Sequence, residues 1–513
     1  MQNPTLQPRL PRRNALKTIA AYALSTGAAA SFSSYSQPTS VGGMTDMALQ
    51  WRAMSRLGYG PTAGLVQSVQ AASSPKAWAL QQLDVAAVAS LHAPVLAADL
   101  AGINAPLPDI FAADIAEREA RKKIKAQGDA QSEPTGLRKL EFDTPTDPLH
   151  FNRTMVQKAA VWRLSSCSQP DVEPPLLARM TEFWFNHLNI YAGKGSVRPF
   201  IGHYVINVAR AHAFGKFEDL LLASARHPGM LHYLDQFQSV AAGTGNDPGR
   251  KRGLNENYAR ELMELHTLGV NGGYTQTDVR ELARVLTGWT LGPDASDGFR
   301  FVNRAHDIGN KQVLGHKFPD NFFGGGEREG LRAIRMLAQH PKTAERISLR
   351  LAQFFVADSP PPNLVERLAQ RFMETQGDIK QVMLVLLNSD ALWAAENRLF
   401  KTPMDFACSA LAAVSNGPPE RRQLMQAMGF LNNAGQPLHG WQTPDGYKTD
   451  AATWLAPEAL TRRADFALEI ARRTPDVDFL QPYIGASTRA AIAQEKPALR
   501  AGLTLASPDF MTK

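Results

Sequence analysis

The chain has 513 residues, 44% of them apolar, and carries 55 Lys and Arg against 48 Asp and Glu, a formal charge of +7. That length is ample for a large buried core. Arg9, Arg12, Arg13 and Lys17 supply four of the positive charges within a first thirty residues that hold no acid, leaving +3 on the rest, too little to indicate a nucleic-acid partner.

The N-terminus reads Pro11-Arg12-Arg13-Asn14-Ala15-Leu16-Lys17, then a weakly apolar run from Ile19 to Ala30 interrupted by Tyr22, Ser25, Thr26 and Gly27. This is the layout of a twin-arginine export signal, with Ala15 where such signals usually carry Phe. Ala28-Ala29-Ala30 before Ser31 suits cleavage near residue 30. The run is too short and too polar for a stable membrane span, so the mature protein is expected to be periplasmic or secreted and not integral to a membrane. The expected organisation is an export signal over 1–30, a linker over 31–43 and one large helical domain over 44–513. Export of folded proteins by this route suits either a bound metal or fast autonomous folding.

Short helices are predicted over 44–57, 62–70 and 75–90, separated by Gly60-Pro61 and Ser73-Ser74-Pro75. A charged helix begins near Phe111. Its basic run, Arg118 to Lys125, lacks interleaved aromatics and alternates with acids, so it is expected to be an exposed helix and not a nucleic-acid platform. Residues 117–148 form a charged insertion, expected to be mobile. Phe151 to Leu164, Pro175 to Ile190 and 199–226 are strongly helical, the last broken at Gly215.

Asn255 to Trp289 predicts two capped amphipathic helices joined by a Gly-Gly turn. Asn255 caps the first, whose apolar half holds Tyr258, Leu262, Met263, Leu265 and His266; its polar half holds Glu256, Arg260, Glu261 and Glu264, the first, second and fourth at ladder spacing. Gly269 and Asn271-Gly272-Gly273 end it. Thr275 or Thr277 caps the second helix, which buries Val279, Leu282, Ala283 and Leu286. Over 290–326 the helical period is lost, and 299–302 with 312–314 form the expected hairpin. Helices resume over 328–337, 343–355, 362–375, 379–387 and 403–414, and the aromatic segment 440–454 is of the kind that packs over a core or rims a pocket. The fold class is therefore mainly α, a multi-helical globular body with at most a small β-hairpin around residues 299–315.

Metalloprotease, redox, phosphate-loop and nucleophile-elbow motifs are absent. What remains is scattered. His187 shares an apolar helix face with Leu176, Met180, Trp184 and Leu188, and Glu182 and Asn186 form an i, i+4 pair opposite. The catalytic candidates are His187, Glu256, Arg260, Glu261, Glu264 and His266. His187, His266, His306 and Asp307 are the candidate ligands of a divalent metal, since imidazole and carboxylate suit zinc, iron or manganese. Arg260 and Lys311, with Arg284, are the candidates for an anion pocket. The bland alternative is that the histidines are buried hydrogen-bonders and the charges an ion-pair ladder. Cys167 and Cys408 are too few for a disulfide scaffold and pair only if the fold brings them together.

The block from Asn255 to Trp289 closely resembles the signature of a bacterial family catalogued as domain of unknown function 1800. Similar to other parts of that family are Arg56-Leu57-Gly58-Tyr59-Gly60-Pro61, Phe183-Trp184-Phe185-Asn186-His187, His306-Asp307 with Gly309 and Lys311, Lys401-Thr402-Pro403, and Leu505 to Phe510. The resemblance covers nearly the whole mature chain but brings no catalytic residues. It implies a partner, a sulfatase- or phosphatase-like protein of family 1501. Two functions stay open. A metal-dependent hydrolase or oxidoreductase needs the polar groups of the 187, 256–266 and 306–311 segments in one cleft; a non-catalytic scaffold or partner protein needs them paired internally, with apolar surface exposed elsewhere.

Overall fold

The computed structural model describes residues 44–126, 148–242, 246–247, 250–251, 253–319, 325–415, 417–473 and 477–513. The expected signal and linker, 1–43, and most of the expected charged insertion, 127–147, lie outside the described residues.

Capping residues and apolar periodicity set the helices. Thr45, Thr62 and Ser74 each accept a backbone N–H at the start of α1 (Asp46–Arg56), α2 (Ala63–Ala71) and α3 (Pro75–Ser90). α4 (Leu107–Ala126) tethers its basic side chains through Arg118–Asp114 and Arg121–Glu117 pairs one turn apart. α5 (Phe151–Ser168) and α6 (Pro175–His187) are buried almost all round, so they lie inside the body and not on it. α7 (Phe217–Arg226) and α8 (Pro228–Tyr233) follow Gly215.

α9 (Asn257–Glu261) continues into a π-widened turn, Leu262–His266, and packs against α10 (Gln276–Val285) across the glycine turn as expected. Gly269 and Gly273 have φ of 88° and 81°, which side-chain-bearing residues adopt at a cost. Thr275 and Asp278 form a reciprocal capping box on α10.

The β content is three short antiparallel ribbons among the described residues: β1 (Asn246–Asp247) with β2 (Arg250–Lys251), β3 (Trp289–Leu291) with β4 (Phe299–Phe301), and β5 (Lys311–Val313) with β6 (His316–Phe318). The small hairpin is present, but 299–301 pairs with 289–291 and not with 312–314. Gly288, at φ 83°, turns the chain out of α10 so that Trp289, fully buried, enters a strand at once.

α11 (Gly326–Ala338), α12 (Pro341–Phe355), α13 (Pro362–Glu374), α14 (Ile379–Asn388), α15 (Pro403–Val414), α16 (Arg421–Asn433) and α17 (Pro457–Ile470) complete the layers used below. α12 packs on α13, and α15 on α5, α16 and α17. Buried apolar side chains from Ala53 to Met511 join in one cluster, with Trp78, Trp184 and Trp289 fully enclosed. Cys167 of α5 and Cys408 of α15 are joined by a disulfide across 241 residues of sequence, Cα to Cα 5.7 Å. No helix among the described residues is long and apolar enough to cross a membrane.

Candidate functional site

The sequence candidates fall into three separate places. The first is α9. Arg260 sits 3.5 Å from both Glu256 and Glu264, and Gln276 of α10 bridges Glu256 and Arg260 at 2.7 and 2.8 Å. Part-exposed pairs of this kind are an ordinary ladder. Glu261 differs. Among the described residues it has no ion-pair or hydrogen-bond partner, and burial, with Glu264 and Asp445 near by, raises its pKa.

The second place joins α10 to β5. Asp307 receives Arg284 at 2.8 and 3.0 Å, and Glu281 holds the same guanidinium at 2.8 Å. Burial pushes the Asp307 carboxyl up, but Arg284 outweighs it and holds it below its usual value. His306 Nδ1 lies 2.8 Å from the Thr287 carbonyl; on its other side Glu329 Oε2 is 3.4 Å from Nε2 and 2.7 Å from Lys311 Nζ. Burial raises the Glu329 carboxyl, and the bonds of His306 and Lys311 outweigh it. Lys311 and Arg284, candidates for an anion pocket, therefore already hold internal carboxylates.

The third place joins α6 to the turn after α9. His187 and His266 are fully buried neighbours, with His187 Nε2 3.0 Å from the His266 carbonyl oxygen. Burial, then the charges of Arg346 and Arg350 on α12, holds both imidazoles neutral: His266 is pushed down to about 3 and His187 well below its ordinary value. His187 Nδ1 and His266 Nε2 have no protein partner. Cationic neighbours make poor surroundings for a metal ion, and His306 and Asp307 are engaged elsewhere. Among the described residues no three His, Cys, Asp or Glu side chains come together as ligands.

Next to this pair opens a cleft the sequence only hinted at. The segment 441–450 folds over α6 and α12. Asn186 anchors it by donating to the Tyr447 carbonyl at 2.8 Å and accepting the Tyr447 N–H at 2.7 Å, so Asn186 serves the loop and not Glu182. Gly446, at φ 72°, passes so close to the Asn186 carbonyl that a Cβ there would clash. Beneath lies a cavity of about 320 Å³ walled by Phe183, Phe354, Tyr447, Arg346, Arg350 and Asp445, among others. Asn186, Phe354, Tyr447 and Thr449 also wall an inner chamber of about 50 Å³, which Arg163, Arg179, Glu182 and His439 line. There Glu182 pairs with Arg163, Arg179 with Asp405, and His439 Nε2 has no protein partner.

Residues 52–512 match the family described as "Protein of unknown function (DUF1800)". The chain belongs to the DUF1800 family. No curated protein and no solved structure matches the chain. Of the stretches that resemble DUF1800 members, Tyr59, Phe183, Asn186 and Thr402 all border this cleft. The arginines of α12 were missed because an Arg on an amphipathic helix looks like any surface Arg; no local pattern distinguishes one that lacks a partner.

Proposed function

We propose that this is an exported, periplasmic protein that binds a small molecule in the cleft beneath residues 441–450, and that binding, not metal-dependent hydrolysis or oxidoreduction, is its role. The observation that carries this reading is the loop-covered cavity itself. Its 320 Å³ lies at the lower end of small-molecule sites, and its lining sets three aromatic rings, Phe183, Phe354 and Tyr447, among mostly polar and charged side chains, which suits a polar ligand. Of the residues best suited to metal chemistry, His306 and Asp307 are held in internal pairs, and His187 and His266 lie beside two cations. The Cys167–Cys408 disulfide supports an oxidising compartment, as does the paired-arginine leader.

Replacing Arg12 and Arg13 by Lys is expected to leave an uncleaved precursor in the cytoplasm with reduced, alkylatable cysteines; delivery to the periplasm at the wild-type level would sink the export reading. For the cleft, native mass spectrometry of protein recovered from the periplasm is expected to show a bound small molecule that Thr449→Trp, which sets a bulky ring where the two chambers share a wall, removes. Identical spectra from the folded variant would count against it.

A second reading, docking on a sulfatase- or phosphatase-like protein of family 1501, is favoured by apolar exposure at the end of α3: Val85, Val88 and, just past its last residue, Leu91 are 45%, 59% and 77% exposed at three-residue spacing. In the same spectra that reading requires a co-purified protein lost from Val88→Glu/Leu91→Glu.

A further inference from the structure

Arg346 and Arg350 are one turn apart on α12, so their side chains leave the same helix face and both reach the wall of the larger cavity. Arg346 is partly committed, since its Nε and Nη2 donate to the Leu265 carbonyl at 3.2 and 3.1 Å. Arg350 makes no hydrogen bond and no ion pair among the described residues. None of its guanidinium nitrogens is sealed from solvent, so its five donors are open to the cavity beside a second cation.

Of the carboxylates in the same cavity, Asp445 offsets this positive charge only in part and from beyond contact distance. Asp445 accepts from Trp441 Nε1 at 2.8 Å and Thr443 Oγ1 at 2.6 Å, Asp358 accepts the Ala451 N–H at 2.9 Å, and Asp450 caps the turn at Thr453. Each is held by the loop, and none pairs with either arginine. The donor pair faces the cavity, Phe354 and Tyr447 offer aromatic faces in the same wall, and Asn186 fixes the loop above them.

We infer that the cleft takes a sugar-sized organic acid, its carboxylate, phosphate or sulfate seated on Arg350 and Arg346 and its body lying against Phe354 and Tyr447. Guanidinium forks match all three oxyanions, and aromatic faces suit the C–H face of a sugar ring. The burial and like charge that lower the Arg350 pKa to about 10 are the conditions an oxyanion would relieve.

This inference rests on the ligand-binding reading, and its test separates the two. The exported, cleaved protein is titrated by calorimetry with glucuronate, glucose 6-phosphate, glucose 6-sulfate and, as neutral control, glucose. At least one acid is expected to bind, with glucose at least tenfold weaker, and the acid that binds best identifies the oxyanion. Arg350→Gln should weaken that acid by about tenfold to a hundredfold and leave glucose unchanged, while Arg350→Lys should recover part of the loss. Because Arg350 makes no hydrogen bond or ion pair among the described residues, and burial and Arg346 outweigh the pull of Asp445, the Gln variant should melt no lower than wild type, which keeps misfolding out of the result. Equal binding of glucose and the acids, no binding of any of the three acids, or acid binding that survives Arg350→Gln overturns the inference. Should the native spectra still show a small molecule displaced by Thr449→Trp, the ligand-binding reading survives that failure; should they show none, both fall.

Discussion

The melting temperature is expected to fall by roughly 10 °C or more as pH drops from 6.5 to 5, because the fold encloses several histidines in neutral form. Burial is the first cause for each: His187, His227 and His439 lie well below the ordinary value, His266 is pushed down to about 3, and His203 and His232 to about 4. In the unfolded chain each regains a value of about 6.5. Between about pH 6.5 and 4 the unfolded chain therefore binds protons that the folded chain refuses, and stability rises with pH. The contribution is complete above 6.5 and is lost as pH falls towards 4. One such group adds up to about 1.4 kcal/mol per pH unit, so several together rival the whole stability of a typical fold, about 5–15 kcal/mol. Scanning calorimetry at pH 7.5, 6.5, 5.5 and 4.5 checks this. A flat profile would mean that these imidazoles protonate in place, with solvent or unrecognised partners reaching them.

Such histidines were legible one by one but not in their partners. That His187 points inward follows from its place among Leu176, Met180 and Trp184 on one helix face, and that His266 does so follows from its place on the apolar half of the helix that Asn255 opens in the sequence. That they meet each other depends on a contact across 79 residues of sequence, which no periodicity encodes. The same contrast holds elsewhere. Thr275 and Asp278 announced their capping box because both partners lie within one turn. The partner of the Phe299 strand was misplaced because Gly288-Trp289 looks like the end of a helix and gives no sign that the next three residues extend along it. The widened turn Leu262–His266, closed by Thr267 Oγ1 on the Leu262 carbonyl at 2.6 Å, is likewise invisible to a 3.6-residue period. Charged ladders on α9 and α10 were visible as spacing, yet spacing could not say that Asp307 would be taken by Arg284 or Lys311 by Glu329. Of the cleft, only the aromatic segment 440–454 gave notice, since its floor is assembled from α6 and α12, more than 150 residues apart.

Replacing Asp405 by Asn is expected to cost about 3–5 kcal/mol of stability, the largest effect of any single uncharged substitution proposed for this chain. Asp405 is 5% exposed at the first turn of α15, where it accepts from Arg179 Nη1 and from Lys513 Nζ while its Oδ2 also caps Thr402 N–H at 3.2 Å. Burial pushes this carboxyl up, and the two cations outweigh burial and hold it far below the usual carboxylate range. Further cations crowd it. Lys401 is fully buried over the Phe510 ring at 4.0 Å, and Arg179 stacks on Phe354 at 4.3 Å. Asparagine keeps the shape and the helix cap but removes the negative charge that both cations contact, so Arg179 and Lys513 stay enclosed without their paired counter-ion. Apolar replacement of the cation should then relieve the damage: Asp405→Asn/Arg179→Met is expected to melt higher than Asp405→Asn alone, giving a coupling of about 1–3 kcal/mol in a double-mutant cycle. Urea unfolding of the wild type, the two single variants and the double variant supplies all four corners. Additive losses, or a loss below about 1 kcal/mol for Asp405→Asn, would show that water screens these cations and that the network is not the buried hub its geometry describes.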